Sequence, residues 1–424
     1  MNGLLRRGSK NLLRDINNSR VLQIIQSHAP VSRAEIARIA ELPPPTVTSI
    51  VNDFLRVGLI HETDLVQDAN NGSPGLGRRP IFLELNRRVA LTVGVKLRSN
   101  GLTVAITDLA GTVEFHADLP VASVTPAEIL AEVATKIRWA IAECGLETDR
   151  ILGIGLGMPG VIDHRTGVCR YSPLLGWGSV EVGPILEELC AMRVYVDNDV
   201  NMLTASQIAF GHGRGVNSLL TVTLGTGIGL GIGLGGEIYR GSYGGAGEFG
   251  HLKVGGTRVC DCGALGCLES MASERGVCQQ AAELLGRTVG LDEVSQLATD
   301  GDHDILDMFQ KTGSVLGTSI GNLVNIFNPD LVIITGEGVK TTAPLIEPMR
   351  AALDAAIFGT LGDELKIVVE ELGDEAWAQG AASIVVHELL RPPIYKSHAA
   401  EPLAHFLDRG SDIDQSTRVN RRWA

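Results

Sequence analysis

Three of the chain's seven cysteines fall within eight positions, Cys260, Cys262 and Cys267, and His251 precedes the first of them by nine residues. Three thiolates and one imidazole make a closed tetrahedral donor set for Zn²⁺, with no position left for a reactive water, so such an ion would be structural. The alternative is a chance gathering of cytosolic thiols. Seven cysteines in 424 residues are too few for a disulfide framework. Cys144, Cys169, Cys190 and Cys278 show no ligand spacing and read as small core residues.

A second group of functional side chains lies near the N-terminus. The whole chain carries 36 Lys+Arg against 49 Asp+Glu, for a net charge of −13 and a pI near 5.3. Residues 1–62 nevertheless hold eight basic and five acidic residues, a local +3 that leaves −16 on the remainder. A basic module on an acidic body binds phosphate backbone locally while the body resists non-specific adhesion.

Three helices are expected in that module. The first runs over 19–28. The second opens at the capping box Ser32-Arg33-Ala34-Glu35, and Pro43-Pro44-Pro45 stops it. The third runs over 46–56, where Val47, Ile50, Val51, Phe54 and Leu55 share one face. Its other face offers Thr46, Thr48, Ser49 and Asn52, short hydroxyl and amide groups of the kind that read a major groove; the alternative is a plain helical bundle with a polar surface. Gly58-Leu59-Ile60-His61 and the segment after Gly77-Arg78-Arg79-Pro80 read as hairpin strands, the wing of a winged helix-turn-helix. Arg78 and Arg79, held extended by Pro80, would then enter a minor groove; otherwise the segment is a solvated tether.

From residue 90 strands and helices alternate, which argues an α/β fold. Thr125-Pro126-Ala127-Glu128 is a further capping box, and 151–160 is a buried strand ending in a tight loop. Gly is over-used, at 51 residues, as expected of backbone-built ligand loops. Residues 216–236 lack charge for about the length of a bilayer span, but glycine at every second position suits a strand and turn. With no apolar core in the first 20 residues either, a cytoplasmic location without membrane insertion is expected.

At this point the chain resembles the ROK family, which unites bacterial sugar kinases with sugar-responsive repressors. The sharpest elements are Glu248-Phe249-Gly250-His251, the run from Cys260 to Glu269, the opening Arg7-Gly8-Ser9-Lys10 and Gly77-Arg78-Arg79-Pro80. The last two resemble the repressor branch, which responds to xylose, N-acetylglucosamine or glucose. The resemblance implies a two-lobed actin-like, ribonuclease-H-like body with sugar in its cleft. Asp197-Asn198-Asp199 alone reads as a solvated turn. The family match makes Asn198, Asp199, Glu248, His251 and Glu269 sugar ligands, with Asp199 at the place of a kinase's general base. The resemblance also puts His251 near the sugar, so that zinc would brace the pocket wall.

Phosphoryl transfer in this fold needs a first loop of the form Asp-x-Gly-Gly-Thr. Here the matching stretch is Lys96-Leu97-Arg98-Ser99-Asn100. A cation where Mg²⁺ belongs and a bulky side chain where phosphate must approach argue against ATP use. Gly225-Thr226-Gly227-Ile228-Gly229 keeps the second loop, and Gly336-Glu337-Gly338 resembles the adenosine loop with one glycine changed. Lys96 and Arg98 would either receive a sugar phosphate or pair with acids and solvent.

The expectation is therefore a winged helix-turn-helix domain over 1–85, a sugar-binding and oligomerising body over 86–390, and a flexible tail over 391–424. The function expected is that of a sugar-responsive repressor of carbohydrate uptake or catabolism genes, a homodimer or homotetramer on double-stranded operator DNA. Two rivals stand beside it: an ATP-dependent sugar kinase with an appended DNA-binding domain, and a regulator controlled by a protein partner.

Overall fold

The computed structural model describes residues 10–63, 81–145 and 148–390. The chain opens with α1 (Lys10–His28), β1 (Val31–Ser32), α2 (Arg33–Ala40), α3 (Pro44–Arg56), β2 (Ile60–Thr63) and β3 (Phe82–Leu85). The capping box forms as read: Ser32 Oγ accepts the Glu35 N–H, and the Glu35 carboxylate accepts the Ser32 N–H at 3.0 Å. α1 begins nine residues before the expected start at 19. α3 begins two residues early, because Pro44 and Pro45 occupy its first turn, where a missing N–H costs nothing. Its Val47, Ile50, Val51 and Phe54 are buried against Val21, Leu22, Ile25 and Ile36. β1, β3 and β2 form an antiparallel sheet in that order. This is a winged helix-turn-helix.

The first lobe contains β4 (Leu91–Leu97), β5 (Gly101–Asp108), β6 (Val113–Pro120), α4 (Pro126–Glu143), β7 (Ile151–Met158), β8 (Val161–Asp163), β9 (Val168–Tyr171), α5 (Val182–Cys190) and β10 (Val194–Asn198). Its main sheet runs β10-β7-β4-β5-β6, with β4, β5 and β6 antiparallel and β7 and β10 parallel to β4. α6 (Asp199–Ala209) leads to the second lobe: β11 (Ser218–Leu224), β12 (Ile228–Leu234), β13 (Glu237–Ile238), α7 (Glu269–Ala272), α8 (Glu274–Leu285), α9 (Leu291–Thr299), α10 (His303–Phe327), β14 (Leu331–Thr335), α11 (Gly338–Thr341), α12 (Ile346–Ala356) and β15 (Lys366–Val369). That sheet runs β13-β12-β11-β14-β15, with the same pattern of antiparallel and parallel pairs. Each lobe is thus one copy of a ribonuclease-H-like unit. The uncharged run of 216–236 is the β11–β12 hairpin, and no helix among the described residues is long and apolar enough to cross a membrane.

α13 (Asp374–Leu390) follows the second lobe but packs on the first. A Cβ on Gly94 of β4 would lie 1.9 Å from the Ala378 carbonyl oxygen, and one on Gly155 of β7 1.7 Å from that of Ala381. Helix and sheet backbones meet there, and only glycine permits it. β4 and β5 are buried along their whole length as a result. Farther along α13, Val386 belongs to the hydrophobic core of the N-terminal module, together with Ala90 and Leu109. The Arg214 guanidinium donates to the Gln26 and Ser27 carbonyls at the end of α1.

Candidate functional site

On α3, Thr48, Ser49 and Asn52 are exposed and Thr46 half-buried, all on the face opposite the core. The Thr48 hydroxyl donates back to the Pro44 carbonyl at 2.9 Å, which leaves its oxygen as an acceptor and its methyl as an apolar contact. Arg78 and Arg79 lie outside the described residues, as does 391–424; the strands that flank the wing are in place.

His251, Cys260, Cys262 and Cys267 converge, with one donor atom from each within 4.8 Å of all the others. A tetrahedral ion bound at about 2.3 Å to sulfur and 2.0–2.1 Å to nitrogen demands S···S edges of about 3.8 Å and S···N edges of about 3.6 Å. Cys262 and Cys267 Sγ are 3.7 Å apart, and Cys260 Sγ is 3.6 Å from His251 Nδ1. The four residues fit a metal ion. Lys253 donates to Cys267 Sγ at 3.0 Å, a positive charge that offsets the thiolates. His251 thereby splits its ring: Nδ1 faces the thiols, while Nε2 lies 3.8 Å from the Glu248 carboxylate.

Of the other predicted sugar ligands, Glu248 lies against that imidazole, and Asp199 and Glu269 act on Glu248 in turn. Asn198 ends β10 and caps α6, its Oδ1 accepting the Val200 and Asn201 N–H groups and its Nδ2 donating to Gly160. Asp199 is the first residue of α6. Burial raises its carboxyl above the usual range, Lys96 opposes that shift, and Glu337 adds to it. Glu248 precedes the short 3-10 turn over Phe249–His251. Its carboxyl is likewise raised by desolvation within the cleft; His251 pulls it down, while Glu269 and Asp199 push it further up. Glu269 opens α7, accepts the Ile228 N–H at 3.1 Å and receives the Cys260 thiol at 3.6 Å. Glu248 therefore feels the charge of Asp199, His251 and Glu269 across the cleft.

The nucleotide side has diverged. Lys96 is buried with its ammonium 3.8 Å from the centre of the Trp377 ring, and Arg98 pairs with Asp118 on β6 at 3.2 Å. Lys96 acts on Asp199 through its charge. In the second lobe the Glu337 carboxylate lies 2.5 Å from where a Cβ on Gly225 would stand, so an anion covers the loop that a phosphate would approach. The sequence placed Glu337 in the altered adenosine loop and Asp197 in a solvated turn, and Trp377 and Arg240 carried no expectation. Asp197 and Arg240 form a buried ion pair at 2.5 Å beneath the site. The signal for Arg240 was the first basic residue after the uncharged run, directly before a glycine-rich loop.

Comparisons with known proteins agree with this geometry. The family model described as "ROK family" matches residues 92–388. The xylose repressor of Caldicellulosiruptor bescii is 29% identical over 404 residues, spanning 92% of this chain and 100% of the repressor. A crystal structure of a ROK-family transcriptional regulator, a homologue of the E. coli Mlc protein, superposes with a TM-score of 0.79 at 24% identity, covering 94% of this chain and 100% of that one. A ROK-family glucokinase from Streptomyces griseus, in complex with glucose and AMPPNP, superposes with a TM-score of 0.61 at 25% identity, and covers 70% of this chain and 99% of its own. The chain belongs to the ROK family.

Proposed function

We propose that the protein is a sugar-responsive transcriptional repressor, not a kinase, built from a DNA-binding domain of 1–85, a sensing body of 86–390 and a tail of 391–424. The observation that carries this reading is the union in one chain of a winged helix-turn-helix with a cleft that keeps its sugar-binding groups and has lost the first of its phosphate loops. Relatives matched over their full length are repressors, which supports the same reading. The carboxylates of Asp199, Glu248 and Glu269 accept hydrogen bonds from pyranose hydroxyls, and Asn198 and the His251 imidazole add polar contacts. His251, Cys260, Cys262 and Cys267 would hold Zn²⁺, which supplies a rigid cross-link at the pocket wall. Lys96 neutralises Asp199, where a kinase would need that carboxylate free to take a hydroxyl proton.

On DNA, Thr46, Thr48, Ser49 and Asn52 contact base edges, and Arg78 and Arg79 enter the adjacent minor groove. A homodimer, or a homotetramer of such dimers, presents two α3 helices about one DNA turn apart to a pseudo-palindromic operator. Sugar shifts the lobes toward the arrangement it binds better, and operator affinity changes by that difference.

The test is thermal unfolding of the zinc-loaded protein with D-xylose, D-glucose, N-acetyl-D-glucosamine and their phosphorylated forms. A true effector at 100 times its Kd adds about 2.7 kcal/mol, roughly 2–4 °C for a protein of this size. One selective shift is expected. No shift with any sugar transfers control to a protein partner, and ATP-dependent sugar phosphorylation would establish a kinase.

A further inference from the structure

The sugar-site residues come from two lobes, and a buried ion pair joins their supports. We propose that the Asp197–Arg240 ion pair is the positioning element that sets the floor of the cleft against its wall, and thereby determines sugar affinity. The inference rests on the sugar-sensing reading above.

Asp197 ends β10 directly before Asn198 and Asp199. Its Oδ1 accepts the Asn198 N–H at 2.8 Å and the Asn201 side-chain amide at 2.9 Å, so that carboxylate oxygen organises the floor. Its Oδ2 accepts from Arg240 Nε at 2.5 Å. Arg240 follows β13 of the second lobe. Its Nη1 donates to the Ile238 carbonyl at 3.4 Å, and its own carbonyl accepts the Gly244 and Ala246 N–H groups. That turn continues into Glu248 and His251, the wall.

The loop between them has no slack. A Cβ on Gly244 would fall 1.8 Å from the Ile162 carbonyl oxygen of the first lobe, and one on Gly247 2.0 Å from the Leu230 carbonyl oxygen of the second. With both side chains of the pair below 7% exposure, the charge has no aqueous substitute for its partner. A loop held at Gly244 and Gly247 and pinned at Arg240 restricts where Glu248 can sit relative to Asp199.

Removing Arg240 alone would strand a buried carboxylate, so the test uses Arg240→Lys and the neutral double variant Asp197→Asn/Arg240→Gln. The probe is whichever of D-xylose, D-glucose and N-acetyl-D-glucosamine the wild type binds, titrated by calorimetry. Sugar affinity is expected to fall about tenfold or more in both variants, while urea midpoint, zinc content and sugar-free affinity for DNA stay near wild type. Hydrogen exchange over 241–251 is expected to speed about tenfold without any sugar, with α3 unchanged. A folded double variant that keeps both wild-type sugar affinity and wild-type exchange over 241–251 overturns the proposal. If the wild type binds none of the three sugars, the effector assignment fails, and the exchange measurement alone decides the pair's role.

Discussion

The two lobes begin with the same antiparallel hairpin, β4–β5 in the first and β11–β12 in the second, and each hairpin would hold phosphate in a kinase of this fold. They have diverged differently. The first replaced its loop outright, with Lys96 buried on Trp377 and Arg98 paired to Asp118. The second kept Gly-Thr-Gly-Ile-Gly, yet packing accounts for its last glycine and for Gly231 just beyond it. A Cβ on Gly229 would meet Val200 of α6 at 2.5 Å, and one on Gly231 the Thr204 hydroxyl at 1.9 Å. Gly225 is covered by Glu337. A preserved motif can therefore record how helix and strand must touch, not what they bind.

The contrast is most easily broken where glycine serves packing. Gly155→Ala drives a methyl into the Ala381 carbonyl, costs about 3 kcal/mol, and lowers the urea midpoint accordingly; Gly155→Val yields no folded protein. Next comes the metal. Cys267→Ser lowers zinc content by mass spectrometry and destabilises the second lobe by several kcal/mol, whereas Cys278→Ser, outside the cluster, does neither.

Asp199→Asn probes the shared cleft and weakens sugar binding by about 1.5–3 kcal/mol in calorimetry. The carboxylate accepts best when ionised, so wild-type affinity falls as pH drops through its raised pKa, and the Asn variant keeps only the part of that fall that Glu248 contributes. For stability the sign is opposite. The folded state holds this proton more tightly than an unfolded chain with its ordinary value of 3.8, so the contribution of Asp199 to stability declines as pH rises from 3.8 through the folded value.

Smaller still is the effect at Glu132 on α4, whose carboxylate accepts from Ser123 Oγ at 2.8 Å and pairs with Lys136. The Ser123 hydrogen bond and then Lys136 lower its pKa to about 2. Its stabilisation is complete above about 4.5 and lost as pH falls toward 2; Glu132→Gln costs about 1 kcal/mol near neutrality and removes that dependence from the acid denaturation curve. The smallest effect tests the hairpin contrast itself. Lys96→Asp with Arg98→Gly restores the first loop's charge pattern, yet ATP turnover stays at background because Glu337 still covers Gly225. Measurable phosphorylation would show that the second loop had kept its function.

Features set by near neighbours were legible. The two capping boxes, the buried face of α3 and the Cys/His spacing depend on intervals of three to nine residues, which helix and turn geometry convert directly into contacts. The start of α1 was missed because its low amphipathicity leaves no marked periodicity before Ser19. The return of α13 to the first lobe left a trace only as glycines in β4 and β7, which a single sequence does not distinguish from turn glycines.

Residue type and local spacing alone specified a winged module joined to an α/β body and the four metal donors, whereas the changed first phosphate loop followed from the family resemblance. Tertiary structure alone brought Lys96 to bear on Asp199, paired Arg98 with Asp118, laid Glu337 over a loop more than a hundred residues earlier, and clamped Asp197 with Arg240. Those contacts arise from sheet order and from the closure of one lobe on the other. Such closure brings together residues whose separation in the chain carries no periodic signal, and burial then makes each charge depend on the partner it meets there.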